Sequence, residues 1–194
     1  MKNFYKVASG FDLTHIRNEI LNNDSLWNRN VLRKYSDVSP HREMSDIWVR
    51  YNDDTEFKKS GDYSHFNDEH TPIWYPAFYQ IPSLKKLIFD FMQHVDGERL
   101  GAVLITKLSP GCKIEKHVDK SWHAGHYSKF YFPIQNASGA KFCFEDGEIN
   151  PAPGEVYWFD NSAVHWVENN SDEDRIAMIV CIRTELHERQ RHND

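Results

Sequence analysis

The pattern of hydrophobic and polar positions changes near residue 100. Before it, apolar residues recur at helical spacing in two segments, 11–23 and 83–95, and each is predicted to be a helix with one apolar face. Asp12 and Ser83 are suited to cap these helices. A short strand is predicted at 45–53, and the polar segment 53–72 is predicted to be a surface loop.

After residue 100 the pattern is that of short strands separated by turn residues. Strands are predicted at 101–108, 129–136, 140–146, 154–160, 163–170 and 175–184. Strands this short and this often interrupted are typical of a sandwich or a barrel. We therefore expect a single domain over 1–194, in which 1–100 form a helical and loop-rich support, 101–185 form a β-barrel core and 186–194 form a flexible, solvated tail.

Composition limits the classes of partner. Apolar residues make up 40% of the chain and the formal net charge is −6, which indicates a globular protein and argues against nucleic acid as the main partner. The three cysteines form no CxxC pair, which favours reduced thiols in a cytoplasmic protein. The sequence shows neither a signal peptide nor an apolar run of about 18 residues, so no membrane span is expected.

Two histidines and one aspartate form a candidate metal site. His117 and Asp119 are two positions apart, and at a strand or strand end such residues point the same way, with Val118 turned away. His165 lies in a separate predicted strand and would supply the third ligand. Two histidines and a carboxylate on a barrel form the facial triad of non-haem Fe(II) oxygenases, which leaves coordination positions open for a co-substrate and dioxygen.

These residues also have a simpler interpretation. An HxD pair is a weak signal in a chain with 11 histidines. A single histidine in an apolar strand is more often a packed, hydrogen-bonded residue than a metal ligand.

Arg175 favours the metal interpretation. It opens the last apolar strand, ten residues after His165, and the turn between them predicts a hairpin that sets the two strands side by side. A buried arginine needs an anion, and its planar fork suits a carboxylate such as the distal one of 2-oxoglutarate. The alternative is an exposed Arg175 that pairs with Asp172 or Asp174 in the turn.

With this motif set the chain resembles the Fe(II)/2-oxoglutarate-dependent dioxygenases, and most of all the aspartyl/asparaginyl β-hydroxylase-like group, which also includes free-proline hydroxylases. The resembling part runs from Gly101 to Thr184 and includes KFYFPI, PGEVYWFD and NSAVHWVENNSDEDR. The resemblance implies a mainly β fold, a double-stranded β-helix of the jelly-roll or cupin type with supporting N-terminal α-helices. It also implies Fe(II) bound by His117, Asp119 and His165, and 2-oxoglutarate bound through Arg175.

The resemblance further implies a hydroxylase that consumes 2-oxoglutarate and O2 and releases succinate and CO2. The substrate would be an amino acid or a peptidyl side chain of the aspartate, asparagine or proline kind. Some peptide-hydroxylating relatives lack the metal carboxylate, so the presence of Asp119 favours the small-molecule members.

Further contacts are expected on the strands around the HxD pair and in the N-terminal half. The strands that flank it offer Lys129, Tyr131 and Thr106 to the co-substrate. Arg50, His41 and Trp122 are candidates for substrate contacts. Two other functions stay open: a metal-dependent cupin enzyme that does not use 2-oxoglutarate, and a non-catalytic jelly-roll ligand-binding protein.

Overall fold

The computed structural model describes residues 2–34, 39–65 and 72–184, so the predicted tail at 186–194 lies outside the described residues. The helices are α1 (Thr14–Leu21), α2 (Thr55–Ser60), α3 (Ala77–Gln80), α4 (Ser83–His94) and α5 (Trp122–His126), with 3-10 turns at Asp24–Leu26, Leu32–Lys34 and Tyr63–His65. The strands are β1 (Phe4–Ala8), β2 (Ser45–Tyr51), β3 (Ile73–Trp74), β4 (Arg99–Leu108), β5 (Lys113–His117), β6 (Ser128–Gln135), β7 (Ala140–Phe144), β8 (Gly147–Ile149), β9 (Val156–Phe159), β10 (His165–Asn169) and β11 (Arg175–Arg183).

The strands form two antiparallel sheets that face each other. The large sheet has the order β1-β9-β6-β11-β4-β2-β3, and the small sheet has the order β5-β10-β7-β8. Tyr131 and Ala177 of the large sheet pack in one apolar cluster with Ile114, Phe142 and Val167 of the small sheet. This arrangement is a jelly roll, which confirms the predicted mainly β fold.

The helices cover the outer face of the large sheet. Phe91 of α4 has no exposed surface, and its ring centroid lies 5.1 Å from that of Phe130 and 4.7 Å from that of Phe132. In α1, Ile16 and Ile20 are buried in the same cluster, whereas Leu21, expected on the apolar face, is 45% exposed. Within the described ranges, no helix has the length and apolarity that crossing a lipid bilayer requires.

The N-terminal half is more than a helical support. Strand β1 pairs with β9, and β2 pairs with β4, so this half widens the large sheet. The segment 53–72, expected to be a loop, contains α2, which ends at Gly61 in the left-handed conformation with φ of 71°. Residues 66–71 of that segment lie outside the described residues.

The predicted hairpin of the last two strands is wrong. Strand β10 lies between β5 and β7 in the small sheet, whereas β11 lies between β6 and β4 in the large sheet. Asn169 fixes the crossing, because its side-chain amide donates to the carbonyl oxygens of Leu108 and Glu173, each at 2.8 Å. His165 and Arg175 therefore belong to opposite walls of the jelly roll.

Candidate metal centre and cavity

The structure brings His117, Asp119 and His165 together. His117 ends β5 and His165 begins β10, and the two are register partners with ring centroids 4.3 Å apart. Asp119 lies beyond the end of β5, where its backbone N–H donates to the Asn161 carbonyl at 3.0 Å. One potential ligand atom from each of the three residues lies within 4.8 Å of the others. This donor set fits a divalent transition metal.

His117 and Asp119 do not face the site through the side-chain alternation of one regular strand. Of the two, only His117 belongs to β5. Asp119 is placed by the hydrogen bond of its backbone N–H to the Asn161 carbonyl, and not by the alternation of a strand. Val118, expected to point away, also lines the cavity.

Backbone carbonyls orient both imidazoles. His117 Nδ1 lies 2.7 Å from the Glu115 carbonyl oxygen, and His165 Nδ1 lies 2.9 Å from the Ala163 carbonyl oxygen. Because a carbonyl only accepts, Nδ1 carries the proton in each ring and Nε2 keeps its lone pair. The two Nε2 atoms lie 3.7 and 3.8 Å from the carboxylate oxygens of Asp119.

The charge states also suit a metal. Burial lowers the pKa of His165 to about 4, so the ring is neutral at neutral pH. Burial alone would raise the pKa of Asp119, but the positive charge of Lys129, which also donates a hydrogen bond to the carboxylate, holds that pKa well below its usual value. Lys129 Nζ forms an ion pair with Asp119 Oδ2. A neutral imidazole and an ionised carboxylate are the forms that bind metals.

A second group of polar side chains lies on the large-sheet wall of the same cavity. Arg175 is 3% exposed, and its guanidinium carbon lies 5.1 Å from the ring centroid of Tyr131, which is fully buried. Arg175 NH1 and the Tyr131 hydroxyl have no hydrogen-bond partner among the residues that the structure describes. Burial raises the pKa of Tyr131 although the charge of Arg175 opposes it, so the phenol keeps its proton. Buried donors without acceptors fit an anionic ligand.

The predicted metal and co-substrate residues line one cavity of about 440 Å³. This volume falls in the range of about 300–1,000 Å³ that is usual for small-molecule sites. Besides the metal triad and the Arg175 group, the lining includes Lys129 and Thr106, whose hydroxyl lies 3.4 Å from the Ala177 carbonyl.

The predicted substrate residues divide into two groups. His41 lines the cavity and packs edge-on against His117, with ring centroids 4.9 Å apart. Its Nδ1 has no hydrogen-bond partner within the described part of the chain. Burial, followed by the charge of Arg33, holds the pKa of His41 well below its usual value.

Arg50 and Trp122 do not line the cavity. A register shift in β2 lies between Trp48 and Arg50, and the Arg50 guanidinium lies over the Trp74 ring at 4.9 Å. Trp122 is 39% exposed and stacks on His126 with ring centroids 4.4 Å apart. Neighbouring aromatic rings hold both side chains away from the lining of this cavity, and their predicted contacts to a substrate stay predictions.

Sequence reasoning missed other residues of the cavity wall. Arg33, Met44 and Tyr51 line it although they lie far from the HxD pair in sequence. Arg33 lies in the 3-10 turn Leu32–Lys34, within a polar stretch that shows no motif. No local sequence signal marks Arg33, because its place in the cavity depends on how this turn packs against β2.

Comparison with solved structures supports the fold. The chain is 12% identical to the prolyl hydroxylase of Trichoplax adhaerens solved with a hypoxia inducible factor peptide fragment, with a TM-score of 0.59 over 97% of this chain and 86% of that one. It is also 12% identical to the viral collagen prolyl hydroxylase of Paramecium Bursaria Chlorella virus-1 solved with 2OG, with a TM-score of 0.52 over 94% and 96%. The chain is also 12% identical to the prolyl-4-hydroxylase of Pseudomonas putida, with a TM-score of 0.50 over 94% of this chain and 92% of that one.

A comparison with curated proteins finds no match to the sequence. A family model described as Aspartyl/Asparaginyl beta-hydroxylase matches residues 11–184. The match begins before α1 and runs to the end of β11, so it includes both walls of the cavity. The chain therefore belongs to the aspartyl/asparaginyl β-hydroxylase family.

Proposed function

We propose that this protein is an Fe(II)- and 2-oxoglutarate-dependent oxygenase that hydroxylates an amino acid or a peptidyl side chain and releases succinate and CO2. The observation that carries this proposal is the meeting, in one cavity, of a His–Asp–His donor set and a buried arginine whose NH1 has no acceptor within the described ranges. Membership of a hydroxylase family agrees with it.

Each part of the cavity has a role in this proposal. His117, Asp119 and His165 would hold Fe(II), and their backbone-bound Nδ1 atoms keep the imidazoles aimed at one point. Arg175 would hold the distal carboxylate of 2-oxoglutarate, with the Tyr131 hydroxyl as a second donor. When bound, iron, O2 and 2-oxoglutarate supply the oxidising power for C–H hydroxylation.

Lys129 and Thr106 act around these two groups. Lys129 neutralises Asp119 and fixes the orientation of its carboxylate. Both side chains line the cavity that also contains the metal triad and the Arg175 group. The protein residues bind and orient the reactants, and no residue is required to act as a general base.

Two other functions explain the cavity less well. A cupin enzyme without 2-oxoglutarate would leave Arg175 buried with an unpaired nitrogen, at a cost of about 1–3 kcal/mol. A non-catalytic ligand-binding jelly roll would leave the paired imidazole orientation without a purpose.

The substrate is an amino acid or a peptide in this proposal. The Trichoplax adhaerens structure contains a peptide fragment, which supports a peptidyl substrate by analogy. The carboxylate of Asp119 supports a small-molecule substrate by the family resemblance. A cytoplasmic location stays a prediction.

The direct experiment measures succinate formed from 2-oxoglutarate by the Fe(II)-loaded protein, with free amino acids and peptides as substrates. The His117→Ala variant should lose Mn(II) binding and succinate formation together, because it removes one of three ligands. His15→Ala, a change on the exposed face of α1, is the matched control and should keep both. Saturable metal binding that survives in His117→Ala would contradict the assignment of this ligand.

A further inference from the structure

One cation of the cavity, Arg33, is not used by the metal centre or the co-substrate group. It lines the same cavity as His117 and Asp119 but comes from the N-terminal half. Its NH1 is paired with Asp46 on β2, and the same half of the chain brings His41 against His117. Arg175, by contrast, begins β11, and its guanidinium lies over the Tyr131 ring. The two arginines therefore have different partners and come from different parts of the fold.

Arg33 is held in place before any ligand binds. Its NH1 lies 3.3 Å from Oδ2 of Asp46, a carboxylate that is 1% exposed and also accepts from Trp48 Nε1 at 3.2 Å. The neighbouring Leu32 is buried against Trp48 and Leu104 and anchors the 3-10 turn. A side chain fixed in this way loses little conformational entropy when a ligand binds.

The guanidinium keeps donors for a ligand. Asp46 meets it through NH1 alone and is its one acceptor among the described residues. An arginine has five N–H donors, and the Arg33 side chain is 17% exposed, so part of its fork stays open. A fixed arginine with open donors on a cavity wall suits a planar anion such as a carboxylate.

The charges of the cavity also favour an anion. The described lining contains the cations Arg33, Lys120, Lys129 and Arg175, and its one carboxylate is Asp119. Lys129 is paired with Asp119, and Arg33 is paired with Asp46, which lies outside the lining. The charges of a divalent metal and a dicarboxylate sum to zero, so the charges of Arg175 and the exposed Lys120 keep the cavity positive. A positive cavity in a chain of net charge −6 selects an anionic substrate.

We infer that Arg33 is a specificity-determining residue that binds a carboxylate of the substrate, and that Asp46 positions it. The substrate class is therefore a carboxylate-bearing molecule, either a free amino acid or a peptide with an acidic side chain. This inference rests on the proposed function, because it assigns Arg175 to the co-substrate and Arg33 to the substrate.

The experiment compares acid and amide forms of the same probe. The protein is loaded with Zn(II), which does not turn over, and with 2-oxoglutarate. Proline, aspartate and asparagine are each titrated against their α-carboxamides, and a capped peptide with one aspartate is titrated against the same peptide with asparagine. Binding is measured by isothermal titration calorimetry, which gives the affinity of the wild type and of every variant in the same way.

At least one acid should bind to the wild type about tenfold or more tightly than its amide, as expected for a charge-assisted hydrogen bond to a carboxylate. In Arg33→Met this ratio should fall to within about twofold, while the affinity for 2-oxoglutarate changes by less than about twofold. Arg29→Met, an exposed arginine in the same segment, is the matched control and should keep the wild-type ratio. Arg33→Gln removes the charge but keeps a donor for Asp46, and it carries the test if the methionine variant does not fold.

Three results would overturn the inference. They are no acid preference in any wild-type pair, an acid preference that Arg33→Met and Arg33→Gln both retain, and a loss of 2-oxoglutarate affinity as large as the loss of acid affinity. Failure of the proposed function looks different, because the wild type would then not bind 2-oxoglutarate at all. The acid and amide pairs can still be compared on the Zn(II)-loaded protein in that case.

Discussion

Replacing Arg175 with methionine should change stability and co-substrate affinity in opposite directions. In the ligand-free protein the guanidinium is 3% exposed, and its NH1 has no acceptor among the described residues. Methionine has a similar length, carries no charge and leaves no unpaired donor. The variant should therefore fold more stably than the wild type while losing the group that would hold the distal carboxylate of 2-oxoglutarate.

The size of both effects follows from burial. A buried, unsatisfied donor costs about 1–3 kcal/mol, so Arg175→Met should raise the free energy of unfolding by about that amount. For a domain of this size, each kcal/mol corresponds to about 2–4 °C in Tm. Removing one partner of a buried charge pair costs about 2–5 kcal/mol of binding, which is roughly 30-fold to several thousandfold in the Kd of 2-oxoglutarate.

The assay is thermal unfolding of the Zn(II)-loaded protein with and without 2-oxoglutarate. At about 100 times its Kd for the wild type, 2-oxoglutarate should stabilise the wild type by about 2.7 kcal/mol, and the same concentration should stabilise Arg175→Met by no more than about 0.9 kcal/mol. The control is Arg17→Met, since Arg17 is exposed and bonds to Gln135 at the surface. The reasoning is refuted if Arg175→Met is less stable than the wild type without ligand, or if it keeps the shift caused by 2-oxoglutarate.

Three further variants test other parts of the structure. Lys129→Met leaves Asp119, whose side chain is 21% exposed, without its cation, so the free energy of unfolding of the metal-free protein should fall by about 1–3 kcal/mol. Mn(II) should then raise the Tm of the variant more than that of the wild type, and an equal rise would contradict the role of the ion pair. Asn169→Ala removes the amide that donates to the Leu108 and Glu173 carbonyls, of which the Glu173 carbonyl keeps the Ser171 hydroxyl as a donor. The change should cost about 1–3 kcal/mol in urea unfolding, and an unchanged midpoint would show that the crossing does not depend on Asn169. Phe91→Ala should lower the free energy of unfolding by about 3–5 kcal/mol. It should leave Mn(II) affinity within about twofold, because α4 packs on the outer face of the large sheet. A large loss of Mn(II) affinity would show that the two faces of the sheet are coupled.

The sequence predicts elements well where the pattern is local. All six strands predicted after residue 100 are present, because each has its own apolar run and turn residues. Strand β1 was not predicted, since it has five residues and its partner β9 lies about 150 residues away. The hairpin of β10 and β11 was predicted wrongly because the turn between them suits a hairpin locally. The side chain of Asn169, which turns the chain to the other sheet, has no effect on the periodicity.

In the candidate site, too, the sequence predicts the residues that a local motif marks and not the contacts that form only in the folded chain. The ligand types and their spacing point to His117, Asp119 and His165, but the carbonyls that orient the imidazoles cannot be identified from residue types. Each acceptor belongs to the residue two positions earlier, Glu115 and Ala163, and any residue type supplies a carbonyl. Arg33 could not be found either, because Asp46, which holds it, lies on a strand that reaches it only in the folded chain.

The metal end of the cavity should tolerate substitutions elsewhere in the fold better than the co-substrate and substrate ends do. The two imidazoles lie on paired strands of the small sheet, and each is oriented by the backbone carbonyl of the residue two positions earlier. Arg175 lies on the opposite sheet and Arg33 on a turn outside both sheets, so their distances to the metal end depend on how the sheets and the N-terminal half pack. Substitutions that loosen this packing should therefore weaken co-substrate and substrate binding before they weaken metal binding. A variant such as Asn169→Ala that lost metal affinity first, with 2-oxoglutarate affinity intact, would contradict this order.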